Sequence, residues 1–210
     1  MSTLSVLSLD YNSLTGSIPS SIRGLTNLAT LSLSHNSLGG TIPTDIGNLH
    51  QLTALQLRNN LLQGSIPSQM GSLSNLFSID LRYNYLNGSI PTQLVASSNL
   101  AVILLSFNNF NGLFPVEFGT DDNLKQLDLL GNNFTGTIPA SFCQLHLQIF
   151  SVCFNNGSGC SQIQAVAPCL KDLYGSQFNS IANLTSVPTL PISSPSSSTS
   201  SSNHLKFILR

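Results

Sequence analysis

The chain is poor in charged side chains. Only 7% of its 210 residues are Asp, Glu, Lys or Arg, and the formal net charge is −1. Soluble domains commonly carry about 25% of such residues. A chain of this composition has no extended basic surface that would attract the phosphates of nucleic acid or an anionic membrane. We therefore expect no nucleic-acid partner.

Long apolar runs are absent as well. No stretch reaches the roughly 18 consecutive apolar residues that a membrane-spanning helix needs. We expect membrane attachment only through segments absent from this chain. The opening residues, MSTLSVLSLD, lack the basic region, apolar run and cleavage site of a signal peptide.

Catalytic motifs are missing too. The sequence contains no G-x-S-x-G, no H-E-x-x-H and no phosphate-binding loop. The histidines His35, His50, His146 and His204 lie at unrelated positions. We therefore expect no enzyme, no cofactor and no metal site.

What the chain does contain is a repeat. The phrase LSLDYNSLTGSIP at residues 7–19 returns five times with a period of 24 residues, which brings prolines, asparagines and glycines into register. A period of about 20 to 29 residues with the pattern L-x-x-L-x-L-x-x-N-x-L is typical of a leucine-rich repeat solenoid. Repeats 1 to 6 are numbered here by their asparagines, Asn12, Asn36, Asn60, Asn84, Asn108 and Asn132.

The fixed residues have mechanical roles. Inward leucines such as Leu31 and Leu33 must be covered by stacked neighbours, because one repeat cannot bury them alone. The residues around them alternate in and out, as in a strand. The asparagine that follows turns the chain, and its buried amide can bond backbone groups of its own and adjacent repeats. We expect a structural ladder, not a ligand site, at Asn12, Asn36, Asn60, Asn84, Asn108, Asn132 and Asn155.

With its L-x-G-x-I-P segment after the asparagine, the sequence resembles the plant-type leucine-rich repeat. That family includes receptor-like kinases, receptor-like proteins and polygalacturonase-inhibiting proteins. The resemblance covers about Leu4 to Asn155, with a seventh repeat opening at Leu147. It implies a right-handed superhelix with a parallel sheet on the concave face. It also implies short 3₁₀ or helical turns and a second short sheet on one flank.

The resemblance also guides the domain boundaries. We expect repeats over 1–155, a C-terminal cap over 156–182 and a Ser/Pro-rich disordered tail or linker over 183–210. Family members usually begin with a signal peptide and a cap, whereas this chain begins inside repeat 1. Either it is a fragment or something else covers its first coil. If nothing does, we expect the isolated chain to be marginally stable or to associate through the exposed edge at Leu4, Leu7 and Leu9.

Cysteine is confined to the C-terminal end, at Cys143, Cys153, Cys160 and Cys169. Disulfides around a cap are favoured over zinc, because no C-x-x-C pair is present and His146 is the only histidine nearby. Cys160 and Cys169 are the favoured pair. Candidate glycosylation sites stand at Asn87, Asn133, Asn156 and Asn183, as in a secreted or cell-surface protein.

The variable letters of the repeat fall in four columns of the strands, on the face that points away from the core. The fourth column, beside the ladder, is largely aromatic. Exposed apolar clusters next to arginines are typical of an interface centre, although aromatic neighbours on adjacent strands can also serve only to stabilise a sheet. We favour binding of a protein or peptide, centred on repeats 3 to 5. The predicted residues are Tyr11, His35, Arg58, Asp80, Arg82, Tyr83, Leu104, Phe107 and Asp128.

The charges on this face allow two interpretations. Arg58 and Arg82 are like-charged neighbours, so Asp80 either compensates both or leaves room for an acidic group of a partner. Asp80 and Asp128 share a column two strands apart, at about 10 Å, near the separation of an inverting glycosidase pair. An open sheet excludes no water, so we discount that chemistry.

Three functions stay open from the sequence. The first is a recognition module from the extracellular region of a receptor-like protein. The second is a secreted inhibitor of a cell-wall-degrading enzyme, similar to the polygalacturonase inhibitors. The third is a structural or adsorbing role on a polysaccharide or ice surface. We favour the first, because the concave face brings charge and aromatic surface together in a chain that is poor in both.

Overall fold

The computed structural model of the chain describes residues 3–151, apart from 96–98, 121–122, 137, 139, 146 and 148. The predicted cap at 156–182, the tail at 183–210 and the Cys160–Cys169 pair lie outside the described residues. So do the ladder position Asn155 and the candidate glycosylation sites Asn156 and Asn183.

Seven short strands form one parallel sheet, called here the long sheet, in chain order. Equivalent residues pair in register, so that Leu31, Leu55 and Ile79 stand directly opposite one another. Each of these three side chains is fully buried. The predicted fold class is confirmed: the chain is a right-handed solenoid with this sheet on its concave face. Its strands are Val6–Ser8, Thr30–Ser32, Ala54–Gln56, Ser78–Asp80, Val102–Leu104, Gln126–Asp128 and Ile149–Ser151.

A second parallel sheet, called here the flank sheet, follows the asparagine turn. It has four strands, which are Gln63–Gly64, Tyr85–Gly88, Asn109–Leu113 and Asn133–Thr135. An isolated parallel bridge between Ser17 and Gly39 continues the same path in repeats 1 and 2. The L-x-G-x-I-P segment therefore builds the second sheet that the family resemblance implies.

Short helices complete each turn on the outer side. Pro19, Pro43 and Pro67 stand at the N-caps of the first three with extended ψ angles. Proline suits the start of a helix, where the missing N–H costs no hydrogen bond. Repeat 4 differs, because its turn is the α-helix Thr92–Val95. The other turns are 3₁₀ helices at Ser20–Gly24, Thr44–Asn48, Ser68–Ser72, Val116–Thr120 and Ala140–Gln144.

The core runs along the axis between these elements, and its filling changes along the chain. Leucine, isoleucine and methionine fill repeats 2 to 4, whereas repeats 5 and 6 bury phenylalanines. Phe110 and Phe134 stack with ring centroids 6.3 Å apart. At the other end, an apolar recess of about 350 Å³ opens in repeat 1 and is lined in part by Leu7, Leu9 and Ile22. The expected association through this end stays a prediction.

The ladder asparagines join neighbouring repeats. In repeat 3, the Asn60 amide donates to the carbonyl oxygens of Leu33 at 2.9 Å and Leu57 at 3.1 Å. Its Oδ1 accepts the backbone N–H of Leu38 at 3.0 Å. Asn84 repeats the pattern one coil further on. One buried amide thus supplies hydrogen-bond partners for two carbonyl groups and one N–H group in two adjacent coils. Water cannot reach these backbone groups.

We expect Asn60→Ala to lower the free energy of unfolding by about 1–3 kcal/mol, because it leaves buried backbone groups without partners. Asn109→Ala is the matched control. Asn109 is exposed on the flank sheet, and its side chain makes no hydrogen bond within the described part of the chain. Urea denaturation of both variants checks this. Equal midpoints for Asn60→Ala and the unmodified chain would contradict a structural role.

Glycines in the outer helices set the spacing of the coils. A Cβ atom at Gly71 would lie 2.5 Å from the carbonyl oxygen of Gln93 in the next repeat. Because that oxygen belongs to the backbone, only a shift of the coil could relieve the clash. Gly24 also belongs to a 3₁₀ helix, but nothing lies within 4 Å of a Cβ atom added there.

Gly71→Ala is therefore expected to destabilise the solenoid by about 1–3 kcal/mol through overpacking. Gly24→Ala should leave stability unchanged or slightly raised, because alanine favours helix more than glycine does. Thermal unfolding of the two variants measures the difference. A Gly71→Ala protein as stable as Gly24→Ala would show that the coils can separate without cost.

Candidate functional site

The exposed face of the long sheet is more covered than the sequence predicts. Ser32, Ser34 and Ser106 belong to columns predicted to face solvent, yet they are 2%, 8% and 1% exposed. Longer neighbours fold over them. The Asp10 carboxylate lies 2.6 Å from both the Ser32 hydroxyl and the Ser34 backbone nitrogen. The Ser106 hydroxyl donates to Asp128 at 2.7 Å.

The fourth column has an unusual backbone. Its residues in repeats 1 to 5 adopt positive φ angles between 55° and 60°, and they are Tyr11, His35, Asn59, Tyr83 and Phe107. Residues other than glycine rarely adopt this left-handed conformation, which costs roughly 1–2 kcal/mol each. Here it turns the chain between the strand and the ladder asparagine. Three residues signal this conformation in the sequence: Gly131, which occupies the same position in repeat 6 with φ 66°, and Asn59 and His35, whose residue types adopt such angles more often than most.

This backbone aligns the fourth-column side chains in one row along the sheet edge, called here the aromatic row. Tyr11 stacks on His35 with ring centroids 4.2 Å apart, and Tyr83 stacks on Phe107 at 4.6 Å. Between the pairs, the Asn59 amide nitrogen lies 3.1 Å from His35 Nδ1. The row ends at Gly131, where an added Cβ would lie 2.9 Å from the Phe107 ring.

The row therefore stabilises the sheet as well as facing solvent. Tyr11 is 78% exposed. By contrast, the side chains at Tyr83, Leu104 and Phe107 are partly buried. The rings of Tyr83 and Phe107 stack on each other, so their faces lie against their own chain. The stack of Tyr83 on Phe107 therefore also contributes to holding adjacent strands together. What these two rings offer a partner is their edges and the Tyr83 hydroxyl.

The two arginines of this face differ in their partners, because Arg82 pairs with Asp80 and Arg58 does not. Arg82 donates to Asp80 through Nε at 2.8 Å and through Nη2 at 2.6 Å, a bidentate pair. This hydrogen bond to Asp80 raises the pKa of Arg82 above its usual value, although burial opposes it. Asp80 thus compensates Arg82 alone. The Arg58 guanidinium lies 5.2 Å above the centre of the Tyr83 ring, and its buried Nε has no hydrogen-bond partner among the described residues.

Other kinds of site find no counterpart in the described part of the chain. Its residues include no group of three or more His, Cys, Asp or Glu side chains that could hold a metal ion. None of its helices is long and apolar enough to span a bilayer. Asp80 and Asp128 stand two strands apart on an open sheet, as the register of Asp80 with Leu104 and of Leu104 with Asp128 shows.

Comparison with known proteins identifies the family. A profile described as leucine rich repeat matches residues 2–62, and another matches residues 123–145. No curated protein sequence is a significant match. The solved structure of pollen receptor kinase 3 is 30% identical with a TM-score of 0.64, and the alignment covers 69% of this chain and 71% of that one. The chain belongs to the leucine-rich repeat family.

Further solved structures in the family are similar too. A chain in the complex of BIR3 with SERK2 from Arabidopsis thaliana is 37% identical with a TM-score of 0.56 over 62% of this chain and 69% of that chain. PEPR1 with AtPEP1 is 38% identical with a TM-score of 0.71 over 73% of this chain, but over only 22% of its own. The leucine-rich repeats described here span about a quarter of such long receptor ectodomains.

Two candidate glycosylation sites can be placed on the leucine-rich repeat fold. Asn87 and Asn133 both lie in strands of the flank sheet, and both are exposed. They stand on the other side of the asparagine ladder from the long sheet. The candidate binding residues and these two sites therefore occupy different faces of the solenoid.

Asp128 has a second property that can be tested. Burial raises the pKa of its carboxyl group, while the hydrogen bonds from Ser106 and from the backbone of Leu130 and the attraction of Arg82 oppose that rise. The folded chain therefore holds this proton more tightly than the unfolded chain, where the pKa of Asp is about 3.9. Its contribution to stability is complete below that pH and is lost as the pH rises through the folded-state value.

Asp128→Asn is expected to flatten this dependence, so that the variant gains stability relative to the unmodified chain as the pH rises from about 4. Ser106→Ala removes a hydrogen bond to the charged form, and it should carry the loss to higher pH. Urea midpoints for all three proteins between pH 3 and 7 provide the measurement. A difference in unfolding free energy between Asp128→Asn and the unmodified chain that stays constant with pH would show that folding does not change the pKa of Asp128.

Proposed function

We propose that the chain is a recognition module of a secreted or cell-surface protein and that it binds a protein or peptide on the long sheet at repeats 3 to 5. The related structures support the class of partner. The plant peptide hormone receptor RGFR1, solved in complex with RGF2, is 35% identical over 72% of this chain. HAESA is described with a peptide hormone ligand and is also 35% identical. Seven strands at about 4.8 Å span roughly 29 Å, which suits an extended peptide.

The state of Arg58 carries this proposal. In a chain with so few charges, its guanidinium group stands over the Tyr83 ring with no carboxylate partner among the described residues, and its Nε lacks an acceptor. A buried donor without a partner is unfavourable. An acidic group of a bound peptide would pair with the charge of the guanidinium group, which no carboxylate of the described residues neutralises. Arginine also pairs well with carboxylates, because its planar donors match two oxygens.

Neighbouring residues would define the rest of the surface. The Asp80–Arg82 pair is already neutralised, so it adds directional hydrogen bonding without a net charge. Leu104 lies between Asp80 and Asp128 on adjacent strands and offers an apolar contact. Charge, ring edges and an aliphatic side chain thus lie together, a composition found at binding hot spots.

The proposal is tested by selecting peptides from a random phage-displayed library on the full chain, followed by calorimetry with the selected peptide. We expect peptides with an essential acidic group. Arg58→Gln should weaken binding at least tenfold, since truncation at a hot spot costs about 2 kcal/mol or more. Stability should change little, because the lost cation–π contact contributes only about 0.5–1 kcal/mol.

Leu113→Ser is the control, since Leu113 is 75% exposed on the flank sheet. It should leave peptide affinity unchanged. Tyr83→Phe separates contact from folding, because the phenylalanine keeps the stack on Phe107 and removes only the hydroxyl. Arg82→Gln also removes the pair with Asp80, so its affinity is compared with its stability. A peptide that binds equally to Arg58→Gln and Arg82→Gln, but not to Leu113→Ser, would move the site to the flank and overturn the proposal.

A further inference from the structure

The flank sheet carries an exposed aromatic side chain, Tyr85, whose ring contacts no other ring and no cation among the described residues. Tyr11 and Tyr83 each stack on a neighbouring ring. Tyr85 is 50% exposed, and in the described part of the chain its ring has no stacking, cation–π or hydrogen-bond contact. An exposed ring on a sheet face is apolar surface available to a ligand.

The residue beside Tyr85 on that face is Asn87. Leu86, between them, is fully buried, while Tyr85 and Asn87 are both exposed, as the alternation of a strand requires. Residues two apart in a strand are separated by roughly 7 Å. The Asn87 side chain makes no hydrogen bond to any described residue, whereas the nearby Asn84 amide is fully engaged in the ladder.

Asn87 also begins the sequence Asn-Gly-Ser, which is an acceptor for N-linked glycosylation. A sugar attached to its Nδ2 would leave the sheet next to the Tyr85 ring. One face of N-acetylglucosamine presents several C–H groups, and an aromatic ring presents an apolar surface with a negative face, so the two are complementary.

We propose that Asn87 carries an N-linked glycan and that Tyr85 is the positioning residue on which its first N-acetylglucosamine packs. The oligosaccharide comes from a lipid pyrophosphate donor in the secretory pathway. Asn87 Nδ2 loses one proton and forms a bond to C1 of the sugar. The bond from C1 to the pyrophosphate oxygen breaks, and the lipid pyrophosphate leaves with that electron pair.

The inference rests on the secretory localisation within the proposed function, but not on the binding site. Its geometric consequence is a division of the surface. A glycan that lies on Tyr85 covers the flank sheet around repeats 3 and 4, where Gln63 pairs with Tyr85. The long sheet, across the asparagine ladder, stays open to a partner.

The chain supplies its own control site. Asn133-Phe134-Thr135 is also an acceptor sequence, and Asn133 is exposed on the same sheet. The residue two positions before it is Gly131, which has no side chain on which a sugar could pack. The two sites thus share the acceptor chemistry and the sheet, and they differ in the aromatic platform.

The test uses the full chain secreted from a eukaryotic host behind an added signal sequence. Asn133→Gln, Asn156→Gln and Asn183→Gln are introduced together, which leaves Asn87 as the one predicted acceptor. Mass spectrometry of glycopeptides should show Asn87 occupied. Enzymatic removal of the glycan should lower the melting temperature by about 2–4 °C with Tyr85 or Tyr85→Phe, and should have no such effect with Tyr85→Ser.

Two further measurements separate packing from a general glycan effect. In a chain that keeps only the Asn133 site, deglycosylation should give the same shift with Tyr85 and with Tyr85→Ser. In NMR spectra, ring protons of the first sugar on Asn87 should move upfield with Tyr85 or Tyr85→Phe and return to ordinary positions with Tyr85→Ser.

An unoccupied Asn87 in the secreted protein would overturn the inference, as would equal melting shifts for Tyr85 and Tyr85→Ser. Neither result would touch the binding proposal, which depends on Arg58. Conversely, an occupied and packed glycan together with peptide binding that ignores Arg58 would overturn the proposed function alone.

Discussion

The side-chain amide of the ladder asparagine, which is buried in repeats 3 to 6, is the interaction on which the rest of the solenoid depends. Where the strand ends, the chain must turn inside the molecule, and the backbone groups of the turn cannot reach water. Asn84 supplies the missing partners by donating to the carbonyl oxygens of Leu57 and Leu81 and accepting from the N–H of Leu62. Two of these three groups belong to the preceding repeat. The same hydrogen bonds therefore close the turn and hold adjacent coils in register, so strand order, flank sheet and core all inherit the 24-residue period.

The turn also determines what the solenoid can display. In repeats 1 to 6, the residue before the ladder asparagine adopts a left-handed backbone, a strained state that persists only where surrounding contacts impose it. Because these repeats share the same geometry there, successive side chains are parallel and can stack. Tyr83 is covered by Phe107 on one side and approached by Arg58. Stability and the proposed recognition therefore share residues at this edge, and a loss of binding on changing Tyr83 has meaning only beside a measurement of folding. Arg58 is the cleaner reporter, since little of the fold rests on it.

The sequence predicts the periodic part of this structure well, because burial of Leu31, Leu55 and Ile79 follows from position within the repeat alone. It also contains a signal that our prediction missed. Asn75 and Asn99 share the 24-residue spacing, and each donates to a carbonyl oxygen of the preceding repeat, that of His50 or Ser74. The sequence alone does not fix the left-handed turn, since Gly131, Asn59 and His35 are of types that favour such angles whereas Tyr11, Tyr83 and Phe107 are not. Nor could the sequence decide which arginine Asp80 would take. Arg58 and Arg82 are both within reach by register, and only the bidentate geometry within repeat 4 settles the competition.

The pairing of Asp80 with Arg82 affects how this face could discriminate between binding partners in a chain with so few charges. With Arg82 paired to Asp80, Arg58 has no carboxylate within salt-bridge distance among the described residues, while Asp128 on the same face is hydrogen-bonded by the Ser106 hydroxyl and the Leu130 backbone. A partner carrying one acidic group in the right place gains a charge-assisted hydrogen bond, whereas a neutral partner leaves a guanidinium donor unsatisfied. The asparagine ladder keeps this face apart from the flank sheet, so modification on one side and recognition on the other can proceed on the same repeats without competing for surface.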